Sequence, residues 1–203
     1  MSGLGLQPVV LASASATRAA ILARAGIEVR RDPAGVDEDE IKRSFRHEGR
    51  DAASCAAALA ETKALRVSER HTGALVIGAD QMLDCAGTWF DKPRDRADAR
   101  AQLVALRGKR HELVSAVAVV RNGAVIWHLV DRPRLTMRAF SDHFLDSYLA
   151  ALGDEALASV GVYQLEGLGA QLFERVEGDY FSILGLPLLP LLDFLRGHGA
   201  VMS

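Results

Sequence analysis

Two long apolar-rich runs joined by the dipeptide Asn122-Gly123 constrain the fold of this chain more than any other feature. The runs cover residues 111–121 and 124–138, and valine is their commonest residue. Asn-Gly is favoured in two-residue type I′ turns, because both turn residues take a positive φ. We therefore predict two long antiparallel strands that form part of the sheet of the fold.

Strand and helix patterns alternate through the rest of the chain. Short runs of apolar residues predict strands, whereas apolar residues spaced three or four apart behind a capping residue predict helices. Strands are expected over 8–12, 27–31 and 75–80, and short strands with tight turns over 158–174. Helices are expected from Ser13 or Ser15 to Gly26 and over 51–70, 94–106, 141–151 and 185–196. An acidic loop is expected over 32–40. The sequence therefore predicts an α/β fold with a mixed twisted sheet and flanking helices.

Length and charge exclude several classes of protein. The 203 residues include 24 Lys and Arg against 26 Asp and Glu, a formal charge of −2, which argues against a nucleic-acid partner. No apolar run reaches the ~20 residues of a membrane span, and no basic residue precedes the apolar segment 6–16 as in an export signal. Cys55 and Cys85 lack the spacing of a zinc or disulfide site. We expect a cytoplasmic protein with no membrane partner, folded as one domain over 1–203 with two lobes.

A serine-rich segment between a strand and a helix is the first candidate anion site. Ser13, Ser15 and Arg18 occur where the free backbone N–H groups and the dipole of a helix N-terminus favour an anion. Hydroxyl groups and a guanidinium can add charge-assisted hydrogen bonds to a phosphate. The alternative is a serine helix cap beside a solvated arginine, and spacing alone does not exclude it.

Acidic residues and isolated lysines are the next candidates. Asp80, expected at the end of an apolar strand, can bind a divalent cation or act as a general base toward water. Its alternative role is an Asx turn. Glu38, in the acidic run 37–40, can help to hold Mg²⁺ or belong to a solvated loop. Lys63 and Lys92 can bind phosphate as point charges or be ordinary exposed lysines.

Two further polar residues occur in apolar sequence. Glu166 lies between glycine-flanked segments that are predicted to be strands, and a carboxylate in a narrow apolar setting needs a partner from the protein or a ligand. His111, near the start of the hairpin, has no clear chemical partner and is expected to make a structural hydrogen bond. The chain contains neither a Walker loop nor a zinc-type histidine spacing, and no serine triad can be assembled from spacing.

Taken together, these segments resemble the Maf family of nucleoside triphosphate pyrophosphatases. The resemblance covers Val10 to Gly199, and the motifs occur in the order typical of the family. They are Leu11–Arg18 (LASASATR), Val36–Glu38 (VDE), Lys63-Ala64, Ile77–Asp80 (IGAD), Lys92-Pro93, the Gly108…His111 turn, Gly161–Gly169 (GVYQLEGLG) and Gly185–Leu188 (GLPL). Each motif is weak by itself, but the ordered set is highly specific.

The resemblance implies a fold and a reaction. The fold would be elongated, with a central cleft between two lobes, related to inosine triphosphate pyrophosphatases and frequently homodimeric. The reaction would be hydrolysis between the α- and β-phosphates of a nucleotide, with a divalent metal, Mg²⁺ first and Mn²⁺ as the alternative. By position, Asp80 would accept the proton and would bind the metal together with Glu38. The residues that would hold the substrate are Ser13, Ser15, Arg18, Lys63, Lys92 and Glu166.

Three positions resemble the branch of this family that is associated with 7-methylguanosine triphosphate (7-methyl-GTP). Thr17 stands where the common motif has an arginine, and Gln81 and Glu166 stand where the branch acting on thymidine and uridine triphosphates often has threonine and glutamine. A carboxylate only accepts hydrogen bonds and attracts positive charge, whereas an amide also donates. Because 7-methylguanine is cationic and presents N–H donors, Glu166 would favour it over a pyrimidine.

The sequence is also compatible with two other classes of function. A nucleotide-binding regulator of cell division or septum formation would bind the same ligand without significant hydrolysis, and Maf proteins have been linked with cell-division arrest. A phosphatase or phosphotransferase could use the same anion site. It would release orthophosphate in place of pyrophosphate.

Overall fold

The structure is a computed structural model that describes residues 7–202, so Leu6, the first residue of the apolar segment 6–16, lies outside it. The strands are β1 Val9–Leu11, β2 Arg30–Arg31, β3 Leu75–Cys85, β4 Thr88–Phe90, β5 Arg110–Arg121, β6 Ala124–Asp131, β7 Arg134–Met137 and β8 Phe173–Glu177. The helices are α1 Ala16–Arg24, α2 Glu38–His47, α3 Ala52–Ser68, α4 Arg96–Leu106, α5 Asp142–Leu152, α6 Tyr180–Ile183 and α7 Leu188–Gly197. Within this range no helix combines the length and apolar character that a bilayer span requires.

The strands form a mixed sheet in the order β2-β1-β3-β5-β7-β8, with β4 beside β3 and β6 beside β5. β1 is parallel to β2 and β3, whereas β5 is antiparallel to β6 and β7. Asn122 (φ 52°) and Gly123 (φ 75°) connect β5 to β6 in the left-handed conformation that a type I′ turn requires. The predicted mixed α/β sheet and its hairpin are therefore confirmed.

The chain divides into two compact units. The first unit contains residues 7–81, 115–131 and 180–202, and the second contains 82–114 and 132–179. In the first unit, successive residues of β1 face opposite sides of the sheet. Leu11 packs with Ile77 and Leu191 on one side, and Val10 packs with Val67 on the other. The helices α1 and α7 thus cover one face, and α3 covers the other.

The second unit has its own apolar core. Fully buried leucines come from the end of β3, from α4, from the start of β5, from β7 and from α5: Leu83, Leu103, Leu106, Leu113, Leu135 and Leu145. Antiparallel pairing joins β5 to β7 and β7 to β8 within this unit. The unit therefore consists of a sheet packed against α4 and α5.

Several predicted boundaries were wrong. β3 continues to Cys85, so Asp80 lies inside the strand and not at its end. The expected acidic loop ends in a helix, because Asp37 caps α2 by accepting a hydrogen bond from the Glu40 amide. The expected strand over 124–138 is interrupted at Pro133, which lacks the N–H that a sheet ladder needs.

The segment 158–174 also differs from its prediction. Short 3₁₀ turns cover Val160–Val162 and Leu168–Leu172, and regular pairing begins only with β8. Gly161 and Val162 both have a positive φ, which is incompatible with a strand. The last predicted helix begins at Leu188, after the separate short helix α6.

Candidate active site

A close approach of α3 to β3 brings the candidate residues of the first unit together. Gly78 lies on β3 opposite Ala60 and Ala64 of α3. A Cβ built on Gly78 would lie 2.8 Å from the Ala64 amide nitrogen and closer still to the Ala60 carbonyl oxygen. Only glycine fits this contact. Because the helix backbone packs directly on the strand, Lys63 of α3 reaches Asp80 of β3.

Lys63 joins two carboxylates at the centre of this site. Its Nζ lies 2.7 Å from Asp80 Oδ1 and 2.7 Å from Glu38 Oε1, in the first turn of α2. Lys63 is only 8% exposed and Asp80 only 4%, whereas Glu38 is partly open to solvent. Lys63 is thus neither an ordinary exposed lysine nor a lone charge, since its charge offsets those of both acidic groups.

The second oxygen of Asp80 is left without a partner. Asp80 Oδ2 is buried and accepts no hydrogen bond from any described residue. Buried polar atoms are nearly always hydrogen-bonded, so an orphaned carboxylate oxygen indicates a place for a ligand, a water or a metal ion. An Asx turn does not describe this residue, because it lies inside a strand.

Burial and neighbouring charges shift the pKa values of Glu38 and Arg18 in opposite directions. Burial raises the pKa of Glu38, but the attraction and hydrogen bond of Lys63, together with the charges of Lys42 and Arg18, outweigh that effect, so the pKa lies below its usual value. Burial lowers the pKa of Arg18, against the opposing attraction of Asp80 and Glu38. The site therefore holds two cationic and two acidic side chains at close range.

Arg18, on α1, is tied to the rest of the first unit by its guanidinium. Nε donates to the Gly185 carbonyl at 2.8 Å, and Nη1 donates to the Ala79 carbonyl at 2.9 Å and to Ser13 Oγ at 3.2 Å. The solvated arginine of the alternative interpretation is thus wrong. The remaining nitrogen, Nη2, donates to no described residue and can still contact an anion.

Ser13 and Ser15 both order the start of α1. Ser15 is the N-cap and accepts from the Arg18 amide at 3.2 Å, and Ser13 accepts from the Ser15 amide at 3.2 Å. In the part of the chain that the structure describes, neither hydroxyl donates its own proton. Each can therefore serve as a structural acceptor and also donate to a phosphate oxygen.

Gln81, next to Asp80, makes contacts that sequence reasoning did not anticipate. Its Nε2 lies 2.9 Å from Ser115 Oγ, 3.1 Å from the Ser182 carbonyl and 3.0 Å from the Ile183 carbonyl. An amide nitrogen has two protons, so these acceptors fully occupy it. Gln81 thus fixes the last two residues of α6, and no local signal in the sequence links residues so far apart.

The acidic groups fit a divalent cation that also binds substrate phosphates. Among residues 7–202 no group of three or more His, Cys, Asp or Glu side chains could hold a metal by itself. Mg²⁺ typically uses one or two carboxylates and completes its shell with phosphates and water. The orphaned Asp80 oxygen and the half-open Glu38 carboxylate match that donor set.

The other predicted residues lie in the second unit. Lys92 is exposed between β4 and α4. Glu166 is exposed in a turn, closed by a 3.2 Å hydrogen bond from the Gly167 amide to the Gln164 carbonyl, so its expected narrow apolar setting was wrong. The structural hydrogen bond expected for His111 is confirmed, since Nε2 lies 2.8 Å from the Tyr163 hydroxyl. Burial lowers the pKa of His111 to about 4.

Comparison with known proteins identifies a family. The family model described as Maf-like protein matches residues 8–198. A relative named nucleoside triphosphate pyrophosphatase from Paramagnetospirillum magneticum is 58% identical, over 95% of this chain and 100% of the relative. One of the same name from Rhodospirillum rubrum is 51% identical over the full length of both chains. A relative named 7-methyl-GTP pyrophosphatase from Mesorhizobium japonicum is 48% identical, over 96% of this chain and 98% of the relative.

Proposed function

This chain belongs to the family of Maf-like proteins, and we infer that it is a nucleoside triphosphate pyrophosphatase. The enzyme hydrolyses nucleoside triphosphates to the monophosphate and pyrophosphate, which removes unwanted nucleotides from the cellular pool. Relatives of about the same length that carry this name support the assignment, and so does one named for 7-methyl-GTP.

A catalytic role for the first unit is supported by one observation, the buried oxygen of Asp80 that has no hydrogen-bond partner among the described residues. Lys63 contacts Glu38 and the Oδ1 atom of Asp80. Among residues 7–202, Asp80 Oδ2 is the only buried carboxylate oxygen without a hydrogen-bond partner. We propose that this oxygen takes a proton from the attacking water. The water oxygen forms a bond to the α-phosphorus, and the bond from that phosphorus to the bridging oxygen breaks. Its electron pair leaves with pyrophosphate.

The neighbouring side chains would hold and neutralise the phosphates. Arg18 Nη2 and the hydroxyls of Ser13 and Ser15 are the available donors, and Lys63 supplies a fixed positive charge beside Asp80. A divalent cation, when bound by Asp80 and Glu38, would neutralise phosphate oxygens. We propose Mg²⁺ for this role and Mn²⁺ as its substitute. The role of Lys92 as a further phosphate ligand rests on its sequence motif.

We also propose a preference for a 7-methylated guanine base, read by Glu166. The exposed carboxylate makes no hydrogen bond or ion pair to another described residue, so it is available to a ligand. It would attract the positive charge of the methylated ring and accept its N–H groups, whereas a pyrimidine carbonyl would be repelled. The relative named 7-methyl-GTP pyrophosphatase supports this preference.

The cellular setting is a further part of the proposal. A formal charge of −2 supports a protein without a nucleic-acid partner, and the cysteine spacing supports a reducing compartment such as the cytoplasm. A homodimer without a membrane partner, and a link to cell division, rest on the family resemblance alone. A regulator that binds nucleotide without hydrolysis is the competing interpretation.

The test measures pyrophosphate and orthophosphate separately. Purified protein is incubated with Mg²⁺ and a panel of canonical and methylated nucleoside triphosphates, beside Asp80→Asn and the control Asp154→Asn, whose side chain is fully exposed. We expect pyrophosphate from the wild type and the control, and a loss of about 10²–10⁴-fold in turnover for Asp80→Asn. Orthophosphate would indicate a phosphatase. Nucleotide binding without any product would indicate the regulator.

A further inference from the structure

The loop that carries Glu166 is held by an unusual set of hydrogen bonds. We define the Glu166 loop as residues 159–170. Three consecutive carbonyls in it each have a fixed donor: the Tyr148 hydroxyl donates to Val162 at 2.9 Å, Ser159 Oγ to Tyr163 at 2.8 Å, and the Gly167 amide to Gln164 at 3.2 Å. Two of these donors are side chains, so the backbone alone does not determine the shape of the loop.

The loop begins with a strained backbone. Gly161 (φ 73°) and Val162 (φ 65°) are both left-handed, and a β-branched residue in this region is a genuine outlier. Gly161 has no room for a side chain, since a Cβ there would lie 2.5 Å from Leu83 Cδ1. Such a conformation persists only where its surroundings over-determine it, and outliers of this kind cluster at functional sites. The Tyr148 hydroxyl holds the strained residue itself.

Tyr163 anchors the next part of the loop in the core of the second unit. It is 6% exposed, its hydroxyl contacts His111 Nε2 at 2.8 Å, and its ring meets Phe173 edge-on with centroids 4.8 Å apart. His111 itself is 1% exposed. From the other side, Gly169 packs so closely that a Cβ there would lie 2.8 Å from the Gln164 amide nitrogen. The backbone on both sides of Glu166 is therefore fixed.

A rigid frame thus surrounds one exposed carboxylate. Glu166 lies three residues after the Tyr163 anchor, in the turn that the Gln164–Gly167 hydrogen bond closes. An ordinary exposed turn needs neither the buried Tyr148 hydroxyl nor the Ser159 hydroxyl as a donor. A charge that must discriminate between two similar ligands does need a fixed position, because electrostatic selectivity is lost when the group moves.

We propose that Tyr148 is a positioning residue for base discrimination: its hydroxyl holds the strained Val162 carbonyl and thereby fixes the Glu166 carboxylate for a cationic base. This inference rests on the proposed function, in which Glu166 reads a 7-methylated guanine. Tyr148 acts only through the Glu166 loop and touches no substrate. Ser159, which holds the Tyr163 carbonyl, contributes in the same way.

The test is a double-mutant cycle read out as a substrate ratio. The ratio is kcat/KM for 7-methyl-GTP divided by kcat/KM for GTP, two substrates that differ by one methyl group and one charge. It is measured for the wild type, Tyr148→Phe, Glu166→Gln and the double variant, with Tyr180→Phe as the control because Tyr180 is 48% exposed. A variant that is merely less stable changes both kcat/KM values together and leaves the ratio unchanged.

We expect Tyr148→Phe to lower the ratio by about 3- to 10-fold, the effect of one hydrogen bond, and Tyr180→Phe to leave it unchanged. In the Glu166→Gln background, Tyr148→Phe should have no further effect. Hydrogen exchange at the Gly167 and Ala170 amides should be faster in Tyr148→Phe. If Tyr148→Phe does not fold, Ser159→Ala takes its place with the same expectations.

Three results would overturn the inference. The ratio is unchanged in Tyr148→Phe, or it falls equally in both backgrounds, or it falls without faster exchange in the Glu166 loop. Failure of the proposed function looks different: the wild type then releases no pyrophosphate from any nucleotide, or it shows no preference for 7-methyl-GTP over GTP. The first set of results leaves the enzyme intact and removes only the role of Tyr148.

Discussion

Gly78→Ala tests the contact that assembles the candidate active site. The new Cβ would lie 2.8 Å from the Ala64 amide nitrogen and 2.9 Å from Ala64 Cβ, where ordinary contact begins at 3.4 Å. The Ala60 carbonyl is closer still. Because the opposing atoms belong to a helix backbone, no side-chain rotation can relieve the clash, and α3 must move away from β3 by about 1 Å.

This displacement should cost both stability and turnover. Overpacking of this kind destabilises a fold by ~1–3 kcal/mol. Gly78→Ala should lie at the upper end of that range, because the nearest opposing atoms belong to the backbone of α3. Lys63 lies between Ala60 and Ala64, so its 2.7 Å contact with Asp80 is disturbed by the same movement. A misplacement of about 1 Å in a catalytic arrangement can reduce turnover about 10²-fold.

The assay is pyrophosphate release by folded protein, measured well below the melting temperature of each variant, together with urea unfolding. Gly197→Ala is the matched control, because a Cβ on this residue of α7 meets nothing within 4 Å. It should be neutral or stabilising by up to ~1 kcal/mol. If Gly78→Ala kept both the stability and the turnover of Gly197→Ala, the close approach of α3 to β3 would not be what positions Lys63.

Three other perturbations have distinct expected outcomes. Lys63→Met should destabilise the protein by ~3–5 kcal/mol in urea unfolding and abolish turnover, because Asp80 and Glu38 lose their buried counter-charge, whereas the exposed Lys109→Met should change neither. A chelator should stop pyrophosphate release but leave the melting temperature within a few degrees, since the described residues contain no closed metal site, and a large loss of stability would contradict this. The pKa of His111 is about 4 in the folded protein, against 6.5 for the free side chain. Between these two pH values the unfolded chain binds a proton at His111 and the folded protein does not. Stability should therefore fall by ~3 kcal/mol between pH 6.5 and 4, and His111→Gln should lose less over that interval in urea titrations.

Local patterns predicted much of the fold, for reasons that lie within a few residues. The β5–β6 hairpin follows from the positive φ of Asn122 and Gly123, and the caps of α1 and α3 follow from Ser15 and Asp51. Prediction failed where tertiary contacts overrule local preference. The segment 158–174 has apolar residues typical of strands, but packing holds Val162 in a left-handed conformation.

Asp80, Lys63, Arg18 and Glu38 were identified from the order of their motifs, because residue type and spacing are properties of the sequence. Which atoms meet is not such a property. Lys63 reaches Asp80 across 17 residues, and Arg18 donates to Gly185 across 167, because α3 and the segment after α6 pack against one strand. The sequence thus determined which groups are available for chemistry. Only the tertiary structure decided that one oxygen of Asp80 is paired with Lys63 and that the other is buried without a partner among the described residues, since burial and hydrogen bonding depend on neighbours that are distant in the chain.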